Sequence, residues 1–160
     1  MRVLFVCSGN VCRSPLAEGV MRQLATSQNL HIQADSAGLQ DEFIGEAPHV
    51  LSVETAASRG IDITGHRVRK VSPEDFENND LIVALDRSDL RILTMIRPRR
   101  APSELRLFSG YSGDDMPTDI PDPYHGDAAK FETVFELIEQ GTRNLLANMR
   151  EQIASAEVKV

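Results

Sequence analysis

The residues Cys7-Ser8-Gly9-Asn10-Val11-Cys12-Arg13-Ser14 follow the first apolar run of the chain and precede its first helical pattern. The run before them, Val3-Leu4-Phe5-Val6, is typical of a buried parallel strand. At their end, Ser14 and Pro15 are residue types that favour the N-cap and the first position of a helix. The stretch therefore predicts a strand, a tight loop and the start of a helix in succession.

A strand, loop and helix in this order can bind an anion. Gly9 and Asn10 are residue types that tolerate the backbone conformations needed to turn successive N–H groups inward, and the helix adds its positive end. Arg13 follows Cys7 closely enough for a curled loop to set its guanidinium on two phosphate oxygens facing the thiol. The Gly-Lys-Ser/Thr sequence of the Walker loop is absent. We expect Cys7 to lie beneath a bound phosphorus as an ionised nucleophile.

Length and composition narrow the class of protein. A chain of 160 residues with 41% hydrophobic content suits a single domain over residues 1–160. The net charge of −7 argues against a nucleic-acid partner. The two cysteines lie in one loop and form no disulfide framework, which favours a reducing, cytoplasmic setting. No apolar run approaches the roughly 20 residues of a membrane helix. We expect a monomer without membrane insertion, metal or cofactor.

Alternating strand and helix patterns along the chain predict an α/β fold, a doubly wound sheet of about four parallel strands flanked by helices. After the first strand, the strands are expected at residues 31–36, 81–85 and 105–108. Four helices are expected to begin at Ser14, near Val50, near Leu90 and at Phe131, with a short one at Ser72. The helix near Val50 is expected to bury Val50, Val53, Ala57 and Ile61. The last helix is expected to fray over residues 151–160.

The carboxyl ends of the strands indicate where a ligand would bind. In doubly wound sheets ligands lie at those ends, which is where Cys7, Ser36 and Asp86 are expected to arrive. Phosphoryl transfer to Cys7 also needs an acid for the departing alcohol, and later a base for water. Asp122 is the candidate, because Pro121 and Pro123 stiffen the loop around it and Tyr124 adds an aromatic face. Asp-Pro is also a common turn, so the residues alone leave both interpretations open.

Taken together, the motif Cys-x5-Arg-Ser near the start and the late Asp122-Pro123-Tyr124 resemble the low-molecular-weight protein tyrosine phosphatases. The resemblance continues through residues 35–38, 59–61, 65–67, 75–76 and 80–82. It implies strand order 2-1-3-4, Cys7 as nucleophile, Arg13 as phosphate ligand and Asp122 as general acid. It implies binding of phosphate and substrate by Ser8, Gly9, Asn10, Val11, Cys12, Ser14 and Tyr124. It further implies that Asn10, Ser14, Ser36 and His66 form a hydrogen-bond network that locks the loop. The partners implied are phosphotyrosine-containing proteins, with phosphate and related oxyanions as inhibitors.

Four positions depart from the family pattern. Glu42 stands where an aromatic residue is common, with Phe43 displaced by one position. His49-Val50-Leu51 replaces a common Asp-x-Arg, Leu85 replaces a Met, and His125 replaces a second aromatic residue. All but Leu85 bear on the choice of substrate, and none is a reacting group.

Three other functions remain as alternatives. An arsenate reductase coupled to a small thiol shares the loop, whereas the thioredoxin-coupled form needs two further cysteines that this chain lacks. A phosphoarginine phosphatase of the same superfamily resembles the chain around Pro48-His49, but it carries a polar Thr where this chain has Val11. A non-catalytic phosphate-binding module would not need both a thiolate and a distant Asp-Pro-Tyr. The sequence does not name the physiological phosphoprotein.

Overall fold

The computed structural model describes residues 1–111 and 115–157, with the side chains of 156 and 157 excepted. Four parallel strands form one sheet, as the sequence pattern predicts, and their order β2-β1-β3-β4 is the one that the family resemblance implies. The strands are β1 (Arg2–Cys7), β2 (Gln33–Gly38), β3 (Leu81–Ala84) and β4 (Glu104–Leu107). β2 lies two residues later than expected, because Leu30 and Ile32 pack against the core from the connection before it.

β1 lies in the interior of the sheet, because its side chains are apolar on both faces. Val3 and Phe5 face one core, and Leu4 and Val6 face another. All four are 0% exposed, which explains why the sequence shows a continuous apolar run instead of an alternating one. Helices therefore cover both faces of the sheet, which confirms the doubly wound architecture.

Five α-helices of the described residues surround the sheet. They are α1 (Arg13–Ser27), α2 (Val50–Ala57), α3 (Pro73–Asn78), α4 (Arg87–Ile96) and α5 (Ala128–Glu157), and a 3₁₀ helix spans Phe108–Tyr111. α5 packs against α1 and α2. The sequence predicts fraying over residues 151–160, but α5 continues as a helix beyond Glu151. Residues 158–160 of the predicted frayed segment lie outside the described part of the chain. Within the described residues, no helix is both long and apolar enough to cross a membrane.

The predicted inner face of α2 is partly wrong, because Val53 packs against the core as expected but Val50 and Ala57 do not. Val50 is 62% exposed and Ala57 is exposed, and Ile61 is buried but lies beyond the end of the helix. The buried residues of α2 are Ser52, Thr55 and Ala56. Their small side chains allow the helix to approach the loop after β1, where the Ser52 hydroxyl donates to the carbonyl of Cys12 at 3.4 Å. This face therefore combines close packing against a backbone with the apolar contacts of Val53 and Ala56.

Three chain segments end at the same edge of the sheet. Cys7 is the last residue of β1 and pairs in register with Gly38, the last residue of β2. Asp86, two residues after the end of β3, caps the N-terminus of α4 by accepting from the N–H of Asp89. The carboxyl edge thus brings together residues far apart in sequence, as expected for a doubly wound sheet.

Candidate active site

An open pocket of about 280 Å³ lies at the carboxyl edge of the sheet. The loop after β1 forms its floor with Cys7, Ser8, Gly9, Val11, Cys12 and Arg13. Its walls come from two other segments, one with Gln40, Glu42 and Phe43 and one with Asp122, Tyr124 and His125. The three residues predicted to react, Cys7, Arg13 and Asp122, therefore share one pocket. Asn10, Ser14, Ser36 and His66 lie behind it.

Ser14 has a different position from the one that the sequence predicts. α1 begins at Arg13 with Cys12 at the N-cap, and no side chain caps it, so Ser14 is not the N-cap and Pro15 is not the first helical residue. The Ser14 hydroxyl instead lies 3.0 Å from Sγ of Cys7, in a buried contact. The uncapped start of the helix leaves its first N–H groups for a ligand in the pocket.

Asn10 holds the shape of the loop. Its φ of 57° is left-handed, a conformation that asparagine tolerates better than most residues. Gly9 has no positive φ, contrary to the expectation that both residues would need one. A Cβ on Gly9 would lie 3.3 Å from Cγ2 of Val11 and 3.4 Å from the ring of Phe43, so a larger residue would fit only tightly between the loop and the pocket wall.

The side chain of Asn10 connects the loop to two other segments. Its amide nitrogen donates to Ser14 Oγ at 2.8 Å and to Ser36 Oγ at 3.1 Å. Its amide oxygen accepts from the N–H of Arg69 at 3.1 Å, and because a backbone N–H can only donate, that bond determines the orientation of the amide. His66 Nε2, 3.1 Å from the same oxygen, must then be the donor. The four residues of the predicted network are therefore in contact.

Glu18 completes this network and was missed in the sequence. It is 3% exposed, accepts from Ser36 Oγ at 2.5 Å and lies 3.6 Å from His66 Nδ1. Burial raises the pKa of Glu18, and burial lowers the pKa of His66. Glu18 lies one helical turn after Ser14 on α1, and the burial of that part of the helix becomes visible only in the structure.

Arg13 is a buried cation that is only partly paired within the protein. It is 2% exposed, and its Nη1 donates to Asp86 Oδ2 at 2.7 Å and to the carbonyl of Ile120 at 2.9 Å. Its Nε is buried without a hydrogen-bond partner among the described residues. Burial disfavours the charge, but Cys7 and Asp86 outweigh that effect and hold the pKa of Arg13 above its ordinary value. Nη1 is therefore fixed by Asp86 and Ile120, and Nε is a donor that remains available.

Asp122 lies at the rim of the pocket. Its side chain is 57% exposed, and its Oδ2 is 3.9 Å from Arg13 Nη2. Its Oδ1 accepts from the N–H of Tyr124 at 3.1 Å, a short-range bond that orients the carboxylate within the proline-flanked turn. The carboxyl group is therefore held beside the guanidinium and remains open to solvent.

Aromatic side chains form one wall. The ring centroids of Tyr124 and Phe43 are 5.5 Å apart, and Tyr124 is also 5.5 Å from the ring of His49. The ring of His49 stacks on the ring of Phe131, with centroids 4.8 Å apart. The backbone N–H of His49 donates to the carbonyl of Val11 at 2.8 Å. His49, noted in the sequence only as a departure from a family pattern, is thus the residue that joins the loop to the aromatic wall.

Cys12 lies in the same loop as Cys7 but in a different environment. It is 3% exposed, and burial, followed by the charges of Cys7 and Asp122, raises the pKa of its thiol to about 12. Both cysteines are free. Cys12 is therefore a protonated thiol at neutral pH, in the same pocket as the sulfur of Cys7.

We predict that Cys12 slowly traps oxidised Cys7. Peroxide would convert Cys7 to a sulfenic acid, and attack by Cys12 would form a disulfide and release water. After mild peroxide treatment, Cys12→Ser should lose activity irreversibly faster than the parent, as measured by recovery with a thiol reductant. Because the thiolate fraction of Cys12 rises toward its pKa of about 12, protection should increase at higher pH. Equal recovery of both proteins would remove Cys12 from this role.

The site and fold together define a class of protein, an α/β protein whose first strand leads into a tight loop with a cysteine, an arginine and an uncapped helix start suited to an anion. The sequence model of the family described as "Low molecular weight phosphotyrosine protein phosphatase" matches residues 2–155. The chain belongs to that family.

Individual relatives agree with this assignment. The chain is 38% identical to the low molecular weight protein-tyrosine-phosphatase YfkJ of Bacillus subtilis, over 94% of this chain and 96% of that protein. Its structure is similar to that of a protein tyrosine phosphatase from Entamoeba histolytica, with a TM-score of 0.90 and 30% identity over 95% of this chain and 98% of that one. It is also similar to a Drosophila arginine phosphatase, with a TM-score of 0.88 and 30% identity over 93% of this chain and 98% of that one.

Proposed function

We propose that this protein hydrolyses phosphotyrosine in protein substrates through a phosphoryl group carried on Cys7. The observation that carries the proposal is the partly paired guanidinium of Arg13, buried in the pocket that Cys7 and Asp122 also line. An unpartnered buried donor on a cation is unfavourable, and a phosphoryl oxygen would satisfy it. Family membership supports the same assignment.

In the first step, Cys7 attacks the phosphorus. The S–P bond forms as the P–O bond to the tyrosine oxygen breaks, and Asp122 gives its proton to that departing oxygen. Arg13 and the loop N–H groups bind the non-bridging oxygens, whose charge they stabilise throughout. The products are the free tyrosine and a phosphorylated Cys7.

In the second step, water replaces the sulfur. Asp122, now ionised, accepts a proton from a water that attacks the phosphorus, the S–P bond breaks and inorganic phosphate leaves. Ser14 assists by donating to the departing sulfur. Because the Asn10 amide donates to Ser14 Oγ, the hydroxyl hydrogen of Ser14 is free to point at Cys7, 3.0 Å away.

The aromatic wall supports an aryl phosphate as the preferred substrate. A phosphate bound above Cys7 would bring a tyrosine ring beside Tyr124 and Phe43, where stacking contributes about 0.5–1.5 kcal/mol. Phosphoserine is too short to reach this wall, and phosphoarginine would meet apolar Val11 on the pocket floor. We therefore expect kcat/KM to fall in the order phosphotyrosine, phosphoarginine, phosphoserine.

A matched phosphopeptide series tests this order, with Tyr124→Ala and Tyr124→Phe as a pair of variants. Tyr124→Ala should raise KM for phosphotyrosine peptides by roughly twofold to tenfold, as expected for loss of a stacking contact. Tyr124→Phe keeps the ring and should resemble the parent. Faster turnover of phosphoarginine than of phosphotyrosine would contradict the tyrosine assignment and leave the Cys7 chemistry intact. A parallel assay with arsenate and a small thiol tests the alternative that the protein is an arsenate reductase.

We further propose that the protein acts as a monomer in the cytoplasm. The support for the compartment is chemical, since the two free cysteines of the loop need a reducing compartment for the nucleophile to stay active; the monomer is an expectation for the solution measurement to test. Reduced and active protein recovered from cytoplasmic extract, and a monomeric mass in solution, are the expected results.

A further inference from the structure

Ser8 in the anion-binding loop is bound to a buried carboxylate. Its hydroxyl donates to Asp89 Oδ1 at 2.8 Å. Asp89 lies in the first turn of α4 and is 0% exposed, and sequence analysis gave it no role. Ser8 itself lines the pocket. The loop is therefore tied to α4 by a carboxylate that the proposed reaction does not use.

Asp89 is incompletely paired. Its Oδ2 is buried and has no hydrogen-bond partner among the described residues. Its backbone N–H donates to Asp86 Oδ1 at 2.8 Å, and Asp86 Oδ2 accepts from Arg13. The carboxyl groups of Asp86 and Asp89 thus act on each other near the single guanidinium of Arg13. A proton on Asp89 would relieve the repulsion between these two groups.

We propose that Asp89 is a positioning residue whose proton determines whether the hydroxyl hydrogen of Ser8 is available to an oxyanion in the pocket. When Asp89 is ionised it can only accept, so the single hydroxyl hydrogen of Ser8 is held by the carboxylate. When Asp89 takes a proton from solvent, whether that proton is shared with Asp86 or carried on Oδ1, the carboxyl no longer holds the Ser8 hydrogen by its charge, and from Oδ1 it can donate to Ser8 Oγ. The Ser8 hydrogen is then free to turn toward the bound anion. This inference rests on the proposed function for its role in turnover, but not for its test.

The charges around Asp89 favour a transition near neutral pH. Burial is the largest effect and raises the pKa of Asp89 to about 7, Arg13 of α1 opposes it, and Asp86 before α4 adds to it. The hydrogen bond from Ser8 of the loop lowers the pKa. Oxyanion binding should therefore be tighter below about pH 7 and weaker above it.

The test measures the dissociation constant of sulfate by calorimetry from about pH 5.5 to about pH 8.5. Sulfate is the probe because, unlike phosphate, it does not titrate in this range, and binding needs no turnover. In the parent protein we expect sulfate binding to weaken by about tenfold as the pH rises, the size of one hydrogen bond to a charged ligand. Failure of the phosphatase assays would leave this measurement unaffected.

Two variants should abolish this tenfold change in sulfate affinity, here called the pH step. One variant should bind sulfate tightly at every pH, and the other should bind it weakly at every pH. In Asp89→Asn the amide can donate to Ser8 Oγ at every pH, so sulfate should bind as tightly as it does to the parent at low pH. In Ser8→Ala the hydroxyl is absent, so binding should be as weak as in the parent at high pH. Glu54→Gln, a change at an exposed carboxylate on α2, is the matched control and should retain the full step.

Two results would overturn the proposal. If the step survives Asp89→Asn, the titrating group is another residue. If Ser8→Ala keeps the full step while Asp89→Asn removes it, Asp89 acts through its charge alone and not through the Ser8 hydroxyl. Thermal unfolding of each variant at both ends of the pH range establishes that the folded protein is being compared.

Discussion

Cys7→Ser is expected to reduce phosphotyrosine hydrolysis to background while phosphate still binds. A serine hydroxyl stays protonated under conditions where the cysteine reacts as a thiolate, and it is a far weaker nucleophile. The anion ligands do not depend on the sulfur, because Arg13 is fixed by Asp86 and Ile120 and the loop is fixed by Asn10. Steady-state turnover of a phosphotyrosine peptide and calorimetric phosphate binding measure the two effects separately.

The matched control for this variant is Cys12→Ser, which makes the same change in the same loop. Cys12 is buried beside Ser52 and takes no part in the proposed steps, so this variant should retain turnover in the absence of oxidant. Multiple turnover by Cys7→Ser would contradict the cysteinyl-phosphate mechanism. Loss of phosphate binding would show instead that the sulfur helps to hold the loop.

Asp122→Asn is expected to lower the rate by about 10²- to 10⁴-fold, the usual effect of losing a positioned proton donor. The amide oxygen can still accept from the N–H of Tyr124, so the turn between Pro121 and Pro123 should keep its shape. The loss should be largest for a poor leaving group, because that oxygen most needs a proton. Phenyl phosphate should therefore be affected more than a nitrophenyl ester.

A comparison of the two esters tests this role directly. Equal losses for both would mean that Asp122 does not protonate the leaving group. Asp119→Asn is a useful control, because Asp119 lies in the same segment but pairs with Arg87 at the surface. That variant should show the parent's activity toward both esters.

Much of the fold could be predicted from the sequence because its causes are local. The apolar run of β1 and the periodic pattern of α5 indicate their elements directly, and the carboxyl edge of the sheet follows from parallel pairing. The loop from Cys7 to Ser14 could be predicted for the same reason. Its residues are consecutive, so the conformation of Asn10 and the start of α1 bring Cys7 and Arg13 to one pocket.

Contacts between distant segments could not be predicted in this way. The inner face of α2 depends on how closely its backbone approaches the loop, and periodicity carries no information about that distance. Glu18 and Asp89 look like ordinary surface carboxylates in a sequence, because burial and partners are properties of the packed chain.

The residues themselves therefore determined the α/β class and the loop after the first strand with Cys7 and Arg13, because these depend on local conformation. The family resemblance, carried by recognisable motifs, supplied the strand order and the role expected of Asp122. Only the tertiary structure decided what surrounds them. It brings Asp122 within 3.9 Å of Arg13, sets Glu18 behind Asn10 through Ser36, and ties Ser8 to Asp89. The physical reason is that hydrogen bonding and desolvation depend on distances between segments, and those distances are established only when the helices pack on the sheet.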